Sequence, residues 1–208
     1  MAYPVNGKPE DPTRLEAIPA GVAAGNIMQV DLHMGKIMIG SAGGPFSEHR
    51  LVPALKLIDF GFAQRDPTAV RQNLWKITLQ MYTLITKRTG WDMFWPVVPY
   101  KGLQTWAVDL LPPNNQFDWV DPDLADLMAR CMANDPQNRP SLEDMLRETD
   151  AGARKLSGMY KPPVDMWAET ERVIRAVLKL LVYDADVVPN PAGFNAAVVR
   201  AIEDAIRG

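Results

Sequence analysis

Apolar residues recur at helical spacing along much of this chain. Nearly every side of a helix over residues 73–86 would be apolar, and such a helix is usually central and buried. We expect Trp75, Leu79 and Met81 among its buried side chains. Residues 121–134 place apolar side chains at i, i+3, i+4, i+7 and i+8, which is typical of an amphipathic helix.

Capping residues mark where two of the helices begin. Asp121 is a predicted N-cap, with Pro122 at the first helical position. Ser141 and Asp144 have the spacing of a capping box and predict the start of a short helix. Two more amphipathic helices are expected further on, at residues 167–183 and 192–207.

Short apolar runs predict a single small hairpin. Residues 37–39 form a run that is closed by Gly40, and residues 55–58 form a second run that leads into Asp59. The connection between them is rich in glycine, serine and proline, which is typical of a loop. Residues 1–26 contain many prolines and predict a surface loop or tail. Residues 90–115 look irregular, and we expect their tryptophans to lie in the core: Trp91, Trp95 and Trp106.

Composition narrows the classes of function. With 208 residues and 47% hydrophobic residues, the chain is long and apolar enough for a folded domain. Its net charge of −3 gives no electrostatic footprint for nucleic acid. Cys131 is the only cysteine, and His33 and His49 are the only histidines, so we expect neither a disulfide nor a Cys/His zinc site. No signal peptide or membrane-spanning run is recognised, and we expect an intracellular, cytoplasmic protein without a membrane partner.

Two acidic motifs stand at the ends of the predicted hairpin. The first is the segment from Asp31 to Lys36, and the second is Asp59-Phe60-Gly61 after an apolar strand. Further along, residues 130–140 read RCMANDPQNRP, and residues 73–75 read NLW at the start of the apolar helix. In this order, the four elements resemble the C-terminal lobe of eukaryotic-type protein kinases, over about residues 27–148. The most similar variants are the divergent kinase-like proteins of filamentous fungi.

The resemblance implies a fold and a set of site residues. The fold would be a mainly α, protein-kinase-like C-terminal lobe at residues 27–150 with one small β-hairpin, followed by a C-terminal helical extension at residues 151–208. Asp31 would be the catalytic base for ATP-dependent transfer to serine or threonine, and Asp59 would bind Mg²⁺. Nucleotide contacts would come from Lys36, at the position of the usual asparagine, and from Asp59, Phe60 and Gly61. Either aspartate could instead serve only as a turn or cap residue.

Departures from the kinase pattern predict impaired catalysis. Lys36 replaces a magnesium-binding asparagine, and an ammonium cannot ligate a metal. Gln29-Val30 replaces the usual His-Arg, and eleven residues between Gly61 and Asn73 leave no peptide-docking platform. Neither a Gly-rich loop nor a strand lysine precedes Asp31 in this sequence. We therefore expect a pseudokinase or interaction module that lacks the small lobe.

Other interpretations stay open at this point. The chain could be an active protein or small-molecule kinase whose N-lobe is missing from this gene model, or a remnant without independent function. Without a small lobe, part of helix 73–86 should be exposed and could receive an unspecified protein partner. Arg139 would ordinarily pair with a glutamate that is absent here, and it could be a surface arginine with no specific pair.

Overall fold

The computed structural model describes residues 25–40, 55–88, 96–155, 171–179, 196 and 198–204. These residues fall into two compact units. The first contains residues 38–40, 55–56, 171–179, 196 and 198–204. The second contains residues 25–37, 57–88 and 96–155, and it carries the core and the predicted site.

Among the described elements, four short strands precede the first α-helix, two more strands follow it, and the remaining α-helices come after them. The helices are α1 Ala69–Thr86, α2 Pro122–Cys131, α3 Leu142–Ala153 and α4 Glu171–Leu178, and residues 198–204 are also helical. The strands have three residues each: β1 Ile27–Gln29, β2 Ile37–Ile39, β3 Leu55–Leu57, β4 Ala63–Arg65, β5 Val98–Tyr100 and β6 Leu103–Thr105.

The strands form three two-stranded sheets in the described residues: β1 with β4, β2 with β3, and β5 with β6. The predicted pairing of residues 37–39 with residues 55–58 is confirmed by the β2–β3 sheet. The predicted fold class, a mainly α kinase-like lobe with one small hairpin, is wrong, because two further antiparallel pairs are present. Strands of three residues carry too little alternation to be recognised, and β1 and β4 are separated by more than thirty residues of sequence.

The β5–β6 hairpin lies within residues 90–115, for which the sequence predicts irregular structure. Its two-residue turn has positive φ at both positions, 45° at Lys101 and 83° at Gly102. Such a turn matches the twist of a hairpin, and a glycine adopts it without steric cost. Tyr100 and Leu103 pair directly across it. In the sequence, Gly102 between two short apolar runs is the feature that could have predicted this hairpin turn.

A continuous apolar core lies in the second unit. It joins α1 and α2 to the segment that follows β6, and Tyr82, Ala107, Ala129 and Met132 are fully buried in it. Trp106 is partly buried against this core, whereas Trp91 and Trp95 lie outside the described residues. The buried members of the core are Leu79, Tyr82, Ala107, Val108, Leu110, Leu111, Val120, Ala125, Met128, Ala129 and Met132.

One carboxylate inside this core is fully paired. Tyr82 donates its hydroxyl to Oδ2 of Asp109 at 2.5 Å, and Arg88 donates Nη2 to Oδ1 of the same residue at 2.8 Å. Burial, reinforced by the hydrogen bond to Asp109, raises the pKa of Tyr82 well above its ordinary value of 10. A buried charge with both oxygens bonded is tolerated, so this network ties the end of α1 to the core.

Helix α1 is less buried than the sequence predicted. Leu79 is buried and Trp75 is half-buried, but Met81 is 40% exposed, and two more apolar side chains are exposed, Ile77 and Leu84. Five of the ten residues of α2 are buried, against five of eighteen in α1, so α2 is the more buried helix. The helix packs against β1, α2 and α3, and its exposed apolar residues lie on the surface that these elements leave uncovered.

The predicted helix starts are confirmed. Asp121 accepts hydrogen bonds from the backbone N–H groups of Asp123 and Leu124, and α2 begins with Pro122. Ser141 accepts from the N–H of Asp144 at 3.0 Å and donates its hydroxyl to Asp144 Oδ2 at 2.8 Å. These bonds satisfy N–H groups that have no partner within the first turn of a helix.

The predicted C-terminal helices are described only in part. Helix α4 lies inside the predicted range of residues 167–183, and residues 198–204 lie inside the range 192–207. The proline-rich segment, residues 1–26, falls outside the described residues except for its last two. In the described ranges, no helix has the length and apolar character required to cross a bilayer.

Candidate functional site

Two loops in the second unit carry the predicted site residues. Strand β1 pairs with β4 in antiparallel register, with Gln29 opposite Ala63, and the chain continues from β1 into Asp31. A 3-10 turn, Met34–Lys36, follows directly. The N–H of Ile58 then donates to the carbonyl of Lys36 at 2.9 Å, which places the segment before Asp59 against this turn. Because these pairings are adjacent, both acidic motifs lie side by side.

Asp31, Lys36 and Asp59 form one ion-paired group, which we call the acid–lysine cluster. The Lys36 ammonium lies 2.6 Å from Asp31 Oδ2 and 3.1 Å from Asp59 Oδ2. Its side chain is only 9% exposed, whereas the side chains of Asp31 and Asp59 are 47% and 54% exposed. A single ammonium therefore bridges the two carboxylates.

The cluster is charged at neutral pH. The hydrogen bond from Lys36 lowers the pKa of Asp31 below its ordinary value of 3.8. The hydrogen bond from the N–H of Gly61 has the largest effect in lowering the pKa of Asp59, and the hydrogen bond from Lys36 lowers it further. The hydrogen bond to Asp31 raises the pKa of Lys36 above 10.5, and it outweighs the opposing effect of burial. Each partner therefore stabilises the charged form of the other.

A strained residue sets the direction of the second motif. Asp59 has φ 58°, in the left-handed region, and its Oδ1 accepts a hydrogen bond from the N–H of Gly61 at 3.1 Å. Aspartate tolerates this conformation because its side chain can bond to the backbone two residues ahead. Phe60 is 44% exposed and Phe62 is 68% exposed, and the Phe62 ring lies 5.4 Å from Lys36 Nζ. The Lys36 ammonium therefore lies near an aromatic ring as well as near the two carboxylates.

Three polar side chains of helix α1 form hydrogen bonds with the backbone around Asp31. Asn73 accepts from the N–H of Gln29 at 3.0 Å and donates to the carbonyl of Ile27 at 2.9 Å. Lys76 donates to the carbonyl of Val30, and Gln80 donates to the carbonyl of Leu32 at 3.5 Å. Because they bond to the backbone on both sides of Asp31, these side chains fix its position. These contacts were not predicted, although the spacing of the three residues in the sequence places them on one face of the helix.

Gln29 joins the two motifs directly. It is 3% exposed, and its Nε2 donates to the backbone carbonyl of Asp59 at 2.5 Å. The sequence analysis noted this residue only as a departure from the kinase pattern. In the structure it bonds to the strained Asp59 from the strand that leads to Asp31, so it contributes to the alignment of the two carboxylates.

The arrangement does not fit the magnesium ion that the resemblance implies. Oδ2 of Asp59 is paired with Lys36 and Oδ1 accepts from the N–H of Gly61, and an ammonium repels a divalent cation. Across the described ranges, no three His, Cys, Asp or Glu side chains come together in a group suited to a metal. With Lys36 in place, the phosphates of ATP would find no metal bridge at Asp59.

Arg139 is a buried residue, not a surface arginine. It is 7% exposed and donates Nε to the carbonyl of Ala133 at 2.9 Å, and Nη1 to Arg71 O and Gln72 Oε1 at 3.2 and 3.1 Å. No carboxylate in the described residues lies within ion-pair distance of it. Burial lowers the pKa of Arg139 to about 10, although Asp135 opposes this effect.

Comparisons with protein families, with curated proteins and with solved structures find no match to this chain. The functional argument therefore rests on the residues of the site.

Proposed function

We propose that this chain is a phosphotransferase-like protein with an impaired catalytic site, and that it acts as a binding module and not as a protein kinase. The observation that carries the proposal is the position of Lys36 between Asp31 and Asp59. The carboxylate assigned to proton transfer and the carboxylate assigned to the metal share one ammonium. Both are therefore occupied by an internal partner.

The chemistry of phosphoryl transfer explains why this arrangement impairs catalysis. Such enzymes gain their rate almost entirely from positioning and from electrostatic stabilisation of the transferred group. Positioning alone accounts for roughly 7–11 kcal/mol of the barrier in well-oriented reactions. A base that is hydrogen-bonded to an ammonium is weaker, and a metal ligand that is ion-paired cannot hold magnesium on the nucleotide.

Exposed apolar side chains support a role in binding. Phe60 and Phe62 are exposed beside the acid–lysine cluster, and Ile77, Met81 and Leu84 are exposed along α1. Large apolar groups that are grouped on a surface are typical of protein interaction sites. The partner would meet these groups on the second unit.

A transfer assay tests this proposal. Purified protein is incubated with labelled ATP, Mg²⁺ and a generic acceptor such as casein or myelin basic protein, alongside Asp31→Ala, Asp59→Ala and the remote control Asp150→Ala. We expect no transfer above the level of the two site variants. Transfer that is retained in Asp150→Ala and lost in both Asp31→Ala and Asp59→Ala would overturn the proposal and make the chain an active phosphotransferase.

A further inference from the structure

Two arginines without an acidic partner are interlocked at the start of α1. Arg71 donates Nη1 to the carbonyl of Arg139 at 3.1 Å, and Arg139 donates Nη1 to the carbonyl of Arg71 at 3.2 Å. Arg71 also donates to the carbonyls of Pro136 and Gln137 at 2.9 and 2.5 Å. Backbone carbonyls and Gln72 account for every hydrogen bond that the two guanidinium groups make in the described residues.

The charge of this pair is not balanced within the described part of the chain. The other buried acidic or basic side chains there, Lys36 and Asp109, each form ion pairs within 4 Å. Arg139 forms none, and neither does Arg71. Asp135 acts on Arg139 only over a longer distance, and its Oδ1 accepts from the N–H of Gln137. A buried charge without a counter-charge is costly, so an arrangement of this kind indicates an anion that binds from outside.

Two donors of Arg139 and Trp75 have no acceptor among the described residues. Nη2 of Arg139 has no acceptor among the described residues, and the residue is more than nine-tenths buried. The guanidinium lies 5.8 Å from the ring centroid of Trp75, whose Nε1 is buried and has no hydrogen-bond partner within the described ranges. Arg71 is half-buried, which gives the group access to solvent. An anion would supply acceptor oxygens for Nη2 of Arg139 and a counter-charge for the two guanidinium groups.

We propose that Arg71, Trp75 and Arg139 form a binding site for an oxyanion, the chemistry shared by a phosphate group and a carboxylate. Arg71 supplies the outer charge and the entry. Arg139 supplies a second guanidinium that is held in place by the carbonyl of Ala133. The indole of Trp75 supplies a neutral donor. This site is separate in residues from the acid–lysine cluster and does not depend on the proposed function.

Thermal unfolding in the presence of added anions tests the site. Wild type, Arg71→Gln, Arg139→Lys and the control Arg147→Gln are titrated with inorganic phosphate or with acetate, against chloride at the same ionic strength. Arg147 is an exposed arginine in α3 that pairs with Asp144, so this control removes the same charge elsewhere. We expect phosphate or acetate to raise the Tm of wild type and Arg147→Gln by several degrees. The rise should be absent in Arg71→Gln and reduced in Arg139→Lys.

A second measurement, made on the wild-type protein, tests the site even if one of the variants does not fold. The indole N–H signal of Trp75, assigned by its loss in Trp75→Phe, should move downfield in the wild-type ¹⁵N spectrum as the effective anion is added. A larger response to phosphate than to acetate would identify a phosphoryl group as the ligand class, and the reverse would identify a carboxylate. The proposal is overturned if neither anion raises Tm more than chloride does, if all four proteins respond equally, or if the Trp75 signal does not move.

Discussion

At the scale of single residues, the charge of Lys36 decides what the site can do. The pKa of Asp31 is lowered on folding, so its contribution to stability is present above pH 3.8 and is lost as the pH falls below that value. The pKa of Lys36 is raised, so its contribution is present below pH 10.5 and is lost as the pH rises beyond it. Throughout the physiological range the ammonium therefore remains bonded to the carboxylates.

A second carboxylate gives a pH-dependent prediction. Burial alone would raise the pKa of Asp126, but hydrogen bonds from Lys101, Tyr100 and Arg130 outweigh it and lower the pKa to about 2. Because the folded value lies below the ordinary 3.8, this residue stabilises the protein above pH 3.8 and loses that effect as the pH falls toward 2. We expect Asp126→Asn to lower the free energy of unfolding by about 1–2 kcal/mol at pH 7.

The measurement is urea unfolding of wild type and Asp126→Asn between pH 7 and pH 2.5. The difference in unfolding free energy should shrink steadily below pH 4. A difference that stays constant across this range would show that Asp126 is not ionised against Lys101 and Arg130 in the folded protein. Asp150→Asn, at an exposed position in α3, serves as the matched control and should show little effect at any pH.

At the scale of elements, the two faces of α1 predict losses of stability of very different size for the same substitution. Leu79 is buried in the core at 6% exposure, whereas Leu84 is 61% exposed on the same helix. Leu79→Asp should lower the free energy of unfolding by about 4 kcal/mol or more, because it buries an unpaired charge. Leu84→Asp should cost less than about 1 kcal/mol. Chemical denaturation of both variants checks this, and similar losses would show that the exposed face is covered.

Alanine substitutions at two glycines test the conformation of the backbone. Gly102 has φ 83° in the β5–β6 turn, so Gly102→Ala should lower the free energy of unfolding by about 1–2 kcal/mol. Gly152 lies within α3, and a Cβ added there would meet no atom within 4 Å. Gly152→Ala should therefore raise stability by up to about 1 kcal/mol. Thermal unfolding measures both, and a stabilising Gly102→Ala would contradict the hairpin.

At the scale of the whole molecule, the sequence predicted helices better than sheets. Helical spacing and capping residues located α1, α2 and α3, since these signals are local and repeat over several turns. The sequence did not predict the pairing of β1 with β4, because residues 27–29 and 63–65 are far apart along the chain. It also overestimated the burial of α1, because apolar residues on all sides of a helix do not show which sides are covered by neighbours.

The residues of the candidate site came from the resemblance, and their proximity is what the structure adds. Asp31, Lys36 and Asp59 were singled out because their two motifs resemble those of protein kinases, and the structure places them within one ion-paired cluster. The supporting bonds of Gln29, Asn73 and Gln80 were not predicted. Those contacts depend on how α1 packs against β1, and a linear pattern does not record that packing.

The central claim is that Lys36 occupies the position where a metal would act, and nucleotide binding with and without Mg²⁺ tests it most directly. Titration calorimetry with ATP compares wild type, Lys36→Asn and the exposed control Lys56→Asn. We predict that Mg²⁺ leaves ATP binding to wild type and to Lys56→Asn unchanged, and that Lys36→Asn gains Mg²⁺-dependent binding that Asp59→Ala removes. Mg²⁺-dependent binding of ATP to wild type that is lost in Asp59→Ala would contradict the account.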